Sequence, residues 1–82
     1  MNKLLIEVYV PAIGSTFDIS IPRNAKVFEL LPLITKAVVQ LADGLFIPSN
    51  AALCNGSTGA IYNYNMSVDD MQLKNGSRLM LI

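Results

Sequence analysis

Between Pro22 and Val27 the spacing of apolar residues changes, and that change limits what the chain can fold into. Before it, the chain alternates. Leu4, Ile6, Val8 and Val10 fall on one side, with Leu5, Glu7 and Tyr9 on the other. After a break at Pro11-Ala12-Ile13-Gly14-Ser15, Phe17, Ile19 and Ile21 alternate with Thr16, Asp18 and Ser20. A period of two with β-branched residues predicts strands, and the short break predicts a hairpin. Pro22 closes the second strand, because proline has no N–H to donate to a ladder. Beyond it, Val27, Leu30, Leu31, Ile34, Val38 and Leu41 share one arc at about 100° per residue, with Glu29, Lys36 and Gln40 opposite. Asn24 is the expected N-cap and Gly44 the expected terminator. Pro32 lies inside this pattern and removes a hydrogen bond to Phe28, which predicts a kinked helix of about four turns. A single helix has one apolar stripe, and that stripe covers one face of one sheet.

The remaining signals are shorter. Residues 45–52 read as irregular, with loop chemistry at Pro48-Ser49-Asn50. Ala51 to Cys54 is a weak strand, Asn55-Gly56-Ser57-Thr58-Gly59 a turn, and Ala60-Ile61-Tyr62 a short edge strand. Ser67-Val68-Asp69-Asp70 reads as a capped single turn, where Ser67 offers its oxygen to free amides and the acids sit at the positive end. Asn75-Gly76 turns the chain again, and Ser77 to Ile82 forms the closing strand. The order ββαββ predicts an α+β fold with a mixed sheet. The whole chain, 1–82, is expected to be one domain.

Composition narrows the chemistry. A chain of 82 residues buries only roughly 60–65% of its unfolded surface. With 52% apolar and 15% charged residues, some apolar side chains must stay outside. Net charge is zero and the six Lys/Arg are dispersed, so no footprint for nucleic acid or an anionic membrane is present. There is no histidine, and Cys54 is the only cysteine. A cysteine without a base reads as a packing residue. Asp69-Asp70 without further ligands reads as a helix cap rather than a metal site. Gly56 and Gly59 lack the Lys-Ser/Thr of a phosphate loop, and an iron–sulfur cluster needs four cysteines. No cofactor is expected. Lys3 before Leu4-Leu5-Ile6 hints at a signal peptide, but Glu7 interrupts it. Glu29, Pro32, Lys36 and Asp43 interrupt the longest apolar region too often for a bilayer span. The expected setting is cytoplasmic, and the two Asn-Gly-Ser tripeptides are read as turns.

The ending "SVDDMQLKNGSRLMLI" carries a resemblance. A Ser-capped turn with an aliphatic residue and an acid leads to a buried aliphatic, a Gly turn and an alternating last strand. These are Ser67, Val68, Asp70, Leu73, Gly76, Leu79 and Leu81. The pattern resembles the ubiquitin-like β-grasp fold across the chain. With "FDISIP" as second strand, an apolar helix and "NGSRLMLI" as terminus, it is most similar to the YukD/EsaB group of small bacterial ubiquitin-like proteins. The weak third strand and the glycine-rich turn at 55–59 depart from that pattern. The resemblance implies a non-catalytic interaction module accompanying a type VII (WXG100) secretion system, with a protein partner from that machine. The alternative is a modifier or sulfur carrier, which acts through a Gly-Gly tail. The sequence given stops at Ile82, within the expected last strand, and the expectation is that it is not activated there.

The surplus apolar residues supply the candidate site. If Leu4, Ile6, Val8 and Val10 face the helix, Leu5 and Tyr9 lie on the open sheet face. Leu79 and Leu81 inside places Met80 and Ile82 outside. The first and last strands are central neighbours in a β-grasp sheet, so Leu5, Tyr9, Met80 and Ile82 form the first candidate partner-binding surface. Phe28 and Val39 share one helix flank near Pro32 and form the second, with Leu33 on the other flank. A contiguous exposed apolar patch calls for a partner, a protein or a second copy of the chain.

Overall fold

The computed structural model describes residues 2–45 and 51–82. The elements run β1 (Lys3–Val10), β2 (Ser15–Pro22), α1 (Val27–Leu41), β3 (Leu53–Asn55) and β4 (Arg78–Leu81). They form a four-stranded mixed sheet in the order β2-β1-β4-β3 with one helix on one face, the ubiquitin-like β-grasp arrangement. The expectation at 45–52 falls partly on residues 46–50, which lie outside the described residues.

The hairpin forms as its alternation predicts. β1 and β2 pair antiparallel along their whole length, from Lys3 opposite Pro22 to Val10 opposite Ser15. Gly14, at φ +63°, makes the return; a left-handed conformation costs glycine nothing sterically. β4 then joins β1 in parallel, with Val8 opposite Leu79 and Tyr9 opposite Met80.

Leu4, Ile6, Val8 and Val10 from β1 meet Leu79 and Leu81 from β4, and Val27, Leu30, Ile34 and Val38 from α1, in one buried cluster. Each such side chain is worth roughly 1.5–3 kcal/mol when fully buried. Leu41, expected on the same arc, is exposed. Ala42, one residue on, is buried instead and closes the helix end.

The helix starts where tertiary structure supplies acceptors, not at Asn24. The N-cap is Lys26. Val27 N–H donates to the Met66 carbonyl at 2.9 Å and Phe28 N–H to the Tyr64 carbonyl at 3.2 Å. The Lys26 amide donates to Glu29 Oε1 at 3.1 Å. The orphan amides of a helix start need acceptors, and a passing chain serves as well as a side-chain cap. Pro32 lies within α1, which continues from Val27 to Leu41 through it. At the other end Asp43 (φ +51°) and Gly44 (φ +84°) share the left-handed turn that ends the helix.

The C-terminal third is held by turns. Ser67 and Asp70 exchange bonds: the Ser67 amide donates to Asp70 Oδ2, and the Asp70 amide donates to Ser67 Oγ, both at 3.0 Å. Val68 is buried beneath this turn, and Leu73 packs partly on the core. The edge strand expected at 60–62 is only an isolated bridge, Cys54 to Ile61. The third strand begins two residues later than expected, at Leu53.

Candidate interaction surface

The register of β4 on β1 decides which exposed side chains become neighbours. Residues opposite one another across paired strands share a face. On the face away from α1, Thr16, Tyr9, Met80 and Cys54 therefore form one row across all four strands, extended by Ile61 across its bridge. Ile82 lies two residues beyond Met80 and exchanges both backbone bonds with Ala52, at 2.9 and 3.0 Å. Tyr9, Met80 and Ile82 are thus brought together, with Tyr9 37% and Ile82 50% exposed. Met80 is half-buried, since it lies directly beside Cys54.

Leu5 is not part of that group. It is 52% exposed, but four residues along a strand is about 13 Å, and the next row intervenes. That row holds Asp18, Glu7 and Arg78 side by side. Arg78 reaches Glu7 at 3.6 Å, with the Arg78 side chain 58% and the Glu7 side chain 38% exposed, a geometry worth little energy but enough to make the strip polar. Leu5 instead borders the Asn75-Gly76 turn. Its amide donates to Asn75 Oδ1 at 2.9 Å, and its carbonyl accepts from the Gly76 amide at 2.8 Å.

Arg78 owes its position to Gly56. A Cβ on Gly56 would collide with Cγ of Arg78 and come within 2.7 Å of the Arg78 carbonyl oxygen. The glycine of the 55–59 turn lets the arginine stem cross the sheet end. Nearby, a polar cleft of about 490 Å³ is lined by Glu7, Arg78, Asn55, Tyr62 and Gln72 among others.

Cys54 is fully buried and burial pushes its thiol pKa up, so it stays protonated and unreactive at neutral pH. Tyr62 is also pushed up by burial, against a lowering hydrogen bond with Asn55. Neither behaves as an activated group. Among the described residues there is no cluster of three metal-ligating side chains, and no helix is long and apolar enough to cross a membrane.

The helix flank is divided as well. A groove of about 660 Å³ runs along Leu31, Pro32, Thr35, Val39 and Ala51. Val39 lines it and is half-buried, whereas Phe28, 53% exposed, lies off its end. Sequence reasoning missed Ala52, opposite Ile82, and Ile61, opposite Cys54, as members of the open face. The alternation that assigned Met80 to that face extends to them only once the pairing of β3 is known.

No protein-family model and no curated protein matches the sequence. Solved structures do match. The ubiquitin-like domain of Plasmodium falciparum Dsk2 superposes with a TM-score of 0.72 at 18% identity, covering 96% of this chain and 95% of that one. The EccD5 ubiquitin-like domain from Mycobacterium xenopi gives 0.72 at 15% identity, covering 100% and 94%. A chain of the MycP5-free ESX-5 inner membrane complex gives 0.73 at 19% identity, with all of this chain matched to 21% of that one. At these identities the likeness is one of fold: the chain has the ubiquitin-like β-grasp fold.

Proposed function

We propose that this ubiquitin-like domain, formed by residues 1–82, is a non-catalytic protein-interaction module. It acts as a cytoplasmic accessory or regulatory component of a type VII secretion system, and it binds its protein partner through the open sheet face. The observation that carries the reading is the apolar run of Tyr9 and Met80 on the two central strands and Ile82 just past the end of β4, flanked by Ala52. An aromatic and a methionine at the centre of a sheet face suit a contact surface, because tyrosine offers area with a polar tip and methionine adapts its shape. The likeness to the EccD5 domain and to a chain of the ESX-5 complex supports a secretion setting over other uses of the same fold.

The test is co-purification of the tagged chain with secretion-machine components from the native cell, followed by pairwise binding to each component. Tyr9→Glu and Ile82→Glu are the informative variants. Met80 is left intact because it lies beside Cys54. The expected result is a folded double variant that binds about 30-fold more weakly, the effect of losing one hot spot of about 2 kcal/mol. A folded variant that binds normally moves the interface to the Phe28 and Val39 flank. If no secretion component accompanies the wild-type chain, the secretion role is wrong.

A further inference from the structure

β2 is an edge strand without the usual protection. It runs eight residues, Ser15–Pro22, in unbroken register with β1, and it contains no bulge, no lysine and no proline before its last residue. Its free hydrogen-bonding groups follow from β1. Leu5 and Glu7 bond toward the β4 side, through Gly76 and Ser77. The even residues of β1 therefore bond β2, and their partners are Ile21, Ile19, Phe17 and Ser15. The backbone N–H and C=O groups of Thr16, Asp18 and Ser20 point outward, and the structure gives them no partner among the described residues. Such a row is a template for one more strand.

The charges say what kind of strand. Asp18 stands directly opposite Glu7 on the open face, and like charges opposite one another are unfavourable. Glu7 has Arg78 on its far side; Asp18 has no ion-pair partner among the described residues. The outer side of Asp18 is the free edge itself. Pairing with a second copy of β2 is disfavoured. Only outward-facing residues can bond, so the fullest antiparallel overlap sets Thr16 against Ser20 and Asp18 against Asp18. A foreign strand with a cation at that position would instead complete an alternating row: cation, Asp18 and Glu7, Arg78. On the other face, α1 packs along β2. Thr35 and Val39 face the β3 side, where they line a groove with Ala51. Leu33, on the opposite flank, is 51% exposed, and half-buried Phe17 lies on the helix-facing side of β2 itself.

We propose that the free edge of β2 binds an extended segment of a protein partner as a fifth strand, with Lys or Arg facing Asp18 and apolar residues at alternate positions packing beside Leu33 and Phe17. This edge is separate from the Tyr9–Met80–Ile82 patch and does not depend on it.

The probe is a synthetic peptide, acetyl-Thr-Val-Lys-Val-Thr-Val-amide, with the same peptide carrying Glu for Lys as its control, read by amide NMR on the full chain. The lysine peptide should shift the Thr16, Asp18 and Ser20 amides and protect them from exchange, while the glutamate peptide does so about tenfold more weakly. Asp18→Lys should reverse that preference. Ser20→Pro removes an outward N–H without removing a bond to β1, so it should leave the remaining spectrum native and weaken peptide binding about tenfold or more. Three results would overturn the proposal: no change at these amides at millimolar peptide, no reversal with Asp18→Lys, or shifts confined to Tyr9, Met80 and Ile82. Concentration-dependent shifts at Thr16, Asp18 and Ser20 without peptide would also overturn it, in favour of a second copy as the occupant.

Discussion

The two outer edges of the sheet are built by different means. At the β2 edge, eight alternating residues pair with β1 along their whole length and leave the outer backbone bare. At the β3 edge, only three residues form the strand, and the following chain folds back over them. Asn55 N–H donates to the Ala60 carbonyl and Tyr62 N–H to the Leu53 carbonyl, both at 2.9 Å. Asn55 Oδ1 fixes the intervening turn by accepting from the Ser57 amide at 2.7 Å and the Thr58 amide at 3.1 Å. A long periodic strand needs nothing beyond its apolar face to hold it, so its edge stays available. A short strand with little periodic content has to be anchored by side-chain-to-backbone bonds, and the anchoring chain covers its edge. The difference makes one edge a binding template and the other a closed end.

The largest test of this contrast lies in the strand that links the two halves. Leu79 is fully buried between β1, β3 and α1. Leu79→Ala should destabilise by about 3 kcal/mol in urea unfolding, a large share of the stability of so small a domain. A loss confined to the β3 end, with β1 and β2 amides still protected, would show that the hairpin and helix fold without β4.

Gly56→Ala comes next. Its Cβ has to displace Arg78, including backbone atoms of β4, and such overpacking costs roughly 1–3 kcal/mol. Gly59→Ala, three residues away, meets open space and suffers only from its φ of +77°, with a loss of about 1 kcal/mol. Equal losses would mean that the turn tolerates any side chain and that the Arg78 contact is irrelevant.

Asn55→Ala should cost about 1 kcal/mol and should speed hydrogen exchange at Asn55 and Tyr62 while leaving β2 unchanged. That outcome would confirm that the covered edge depends on side-chain bonds and the bare edge does not.

The smallest effect is on pH. Bonds from the Ser67 amide and hydroxyl hold the Asp70 carboxyl below its ordinary value. Its folded pKa is therefore depressed, so its contribution is present above the unfolded value and fades as pH falls through the folded one. In an NMR titration Asp70 should titrate below the usual aspartate range in the native chain. Ser67→Ala should move the midpoint up. An unchanged midpoint would mean that the Ser67 hydroxyl does not bond the carboxyl in solution.

The fold was largely legible because its strongest elements are local. The alternation of residues 4–10 and 16–21 and the stripe from Val27 to Val38 each repeat over enough residues to overrule a single exception such as Pro32. The Ser67–Asp70 exchange was legible too, since both partners lie within one turn. Asn24 misled because a capping residue was judged without the carbonyls of Tyr64 and Met66, which are distant in sequence. Leu41 misled because periodicity cannot tell where the sheet beneath the helix ends. Residues 60–62 have strand composition, but they meet β3 only through the isolated bridge between Cys54 and Ile61, a pairing that composition does not reveal.

The candidate site was half legible. Face assignment follows from alternation alone, so the sequence correctly put Leu5, Tyr9, Met80 and Ile82 on the side away from the helix. Adjacency does not follow from alternation. It depends on the parallel register of β4 against β1, which brought Tyr9 beside Met80 and put Glu7 and Arg78 between Leu5 and the rest.

By itself the sequence determined the hairpin, the helix and the inward and outward faces of their residues, because each of these is a property of neighbouring residues. Tertiary structure alone decided which strands became edges, which exposed residues touch, where the helix begins and why Gly56 is a glycine. Those outcomes depend on pairing between segments tens of residues apart, whose register is fixed by the packing of the whole core and is written in no single stretch of the chain.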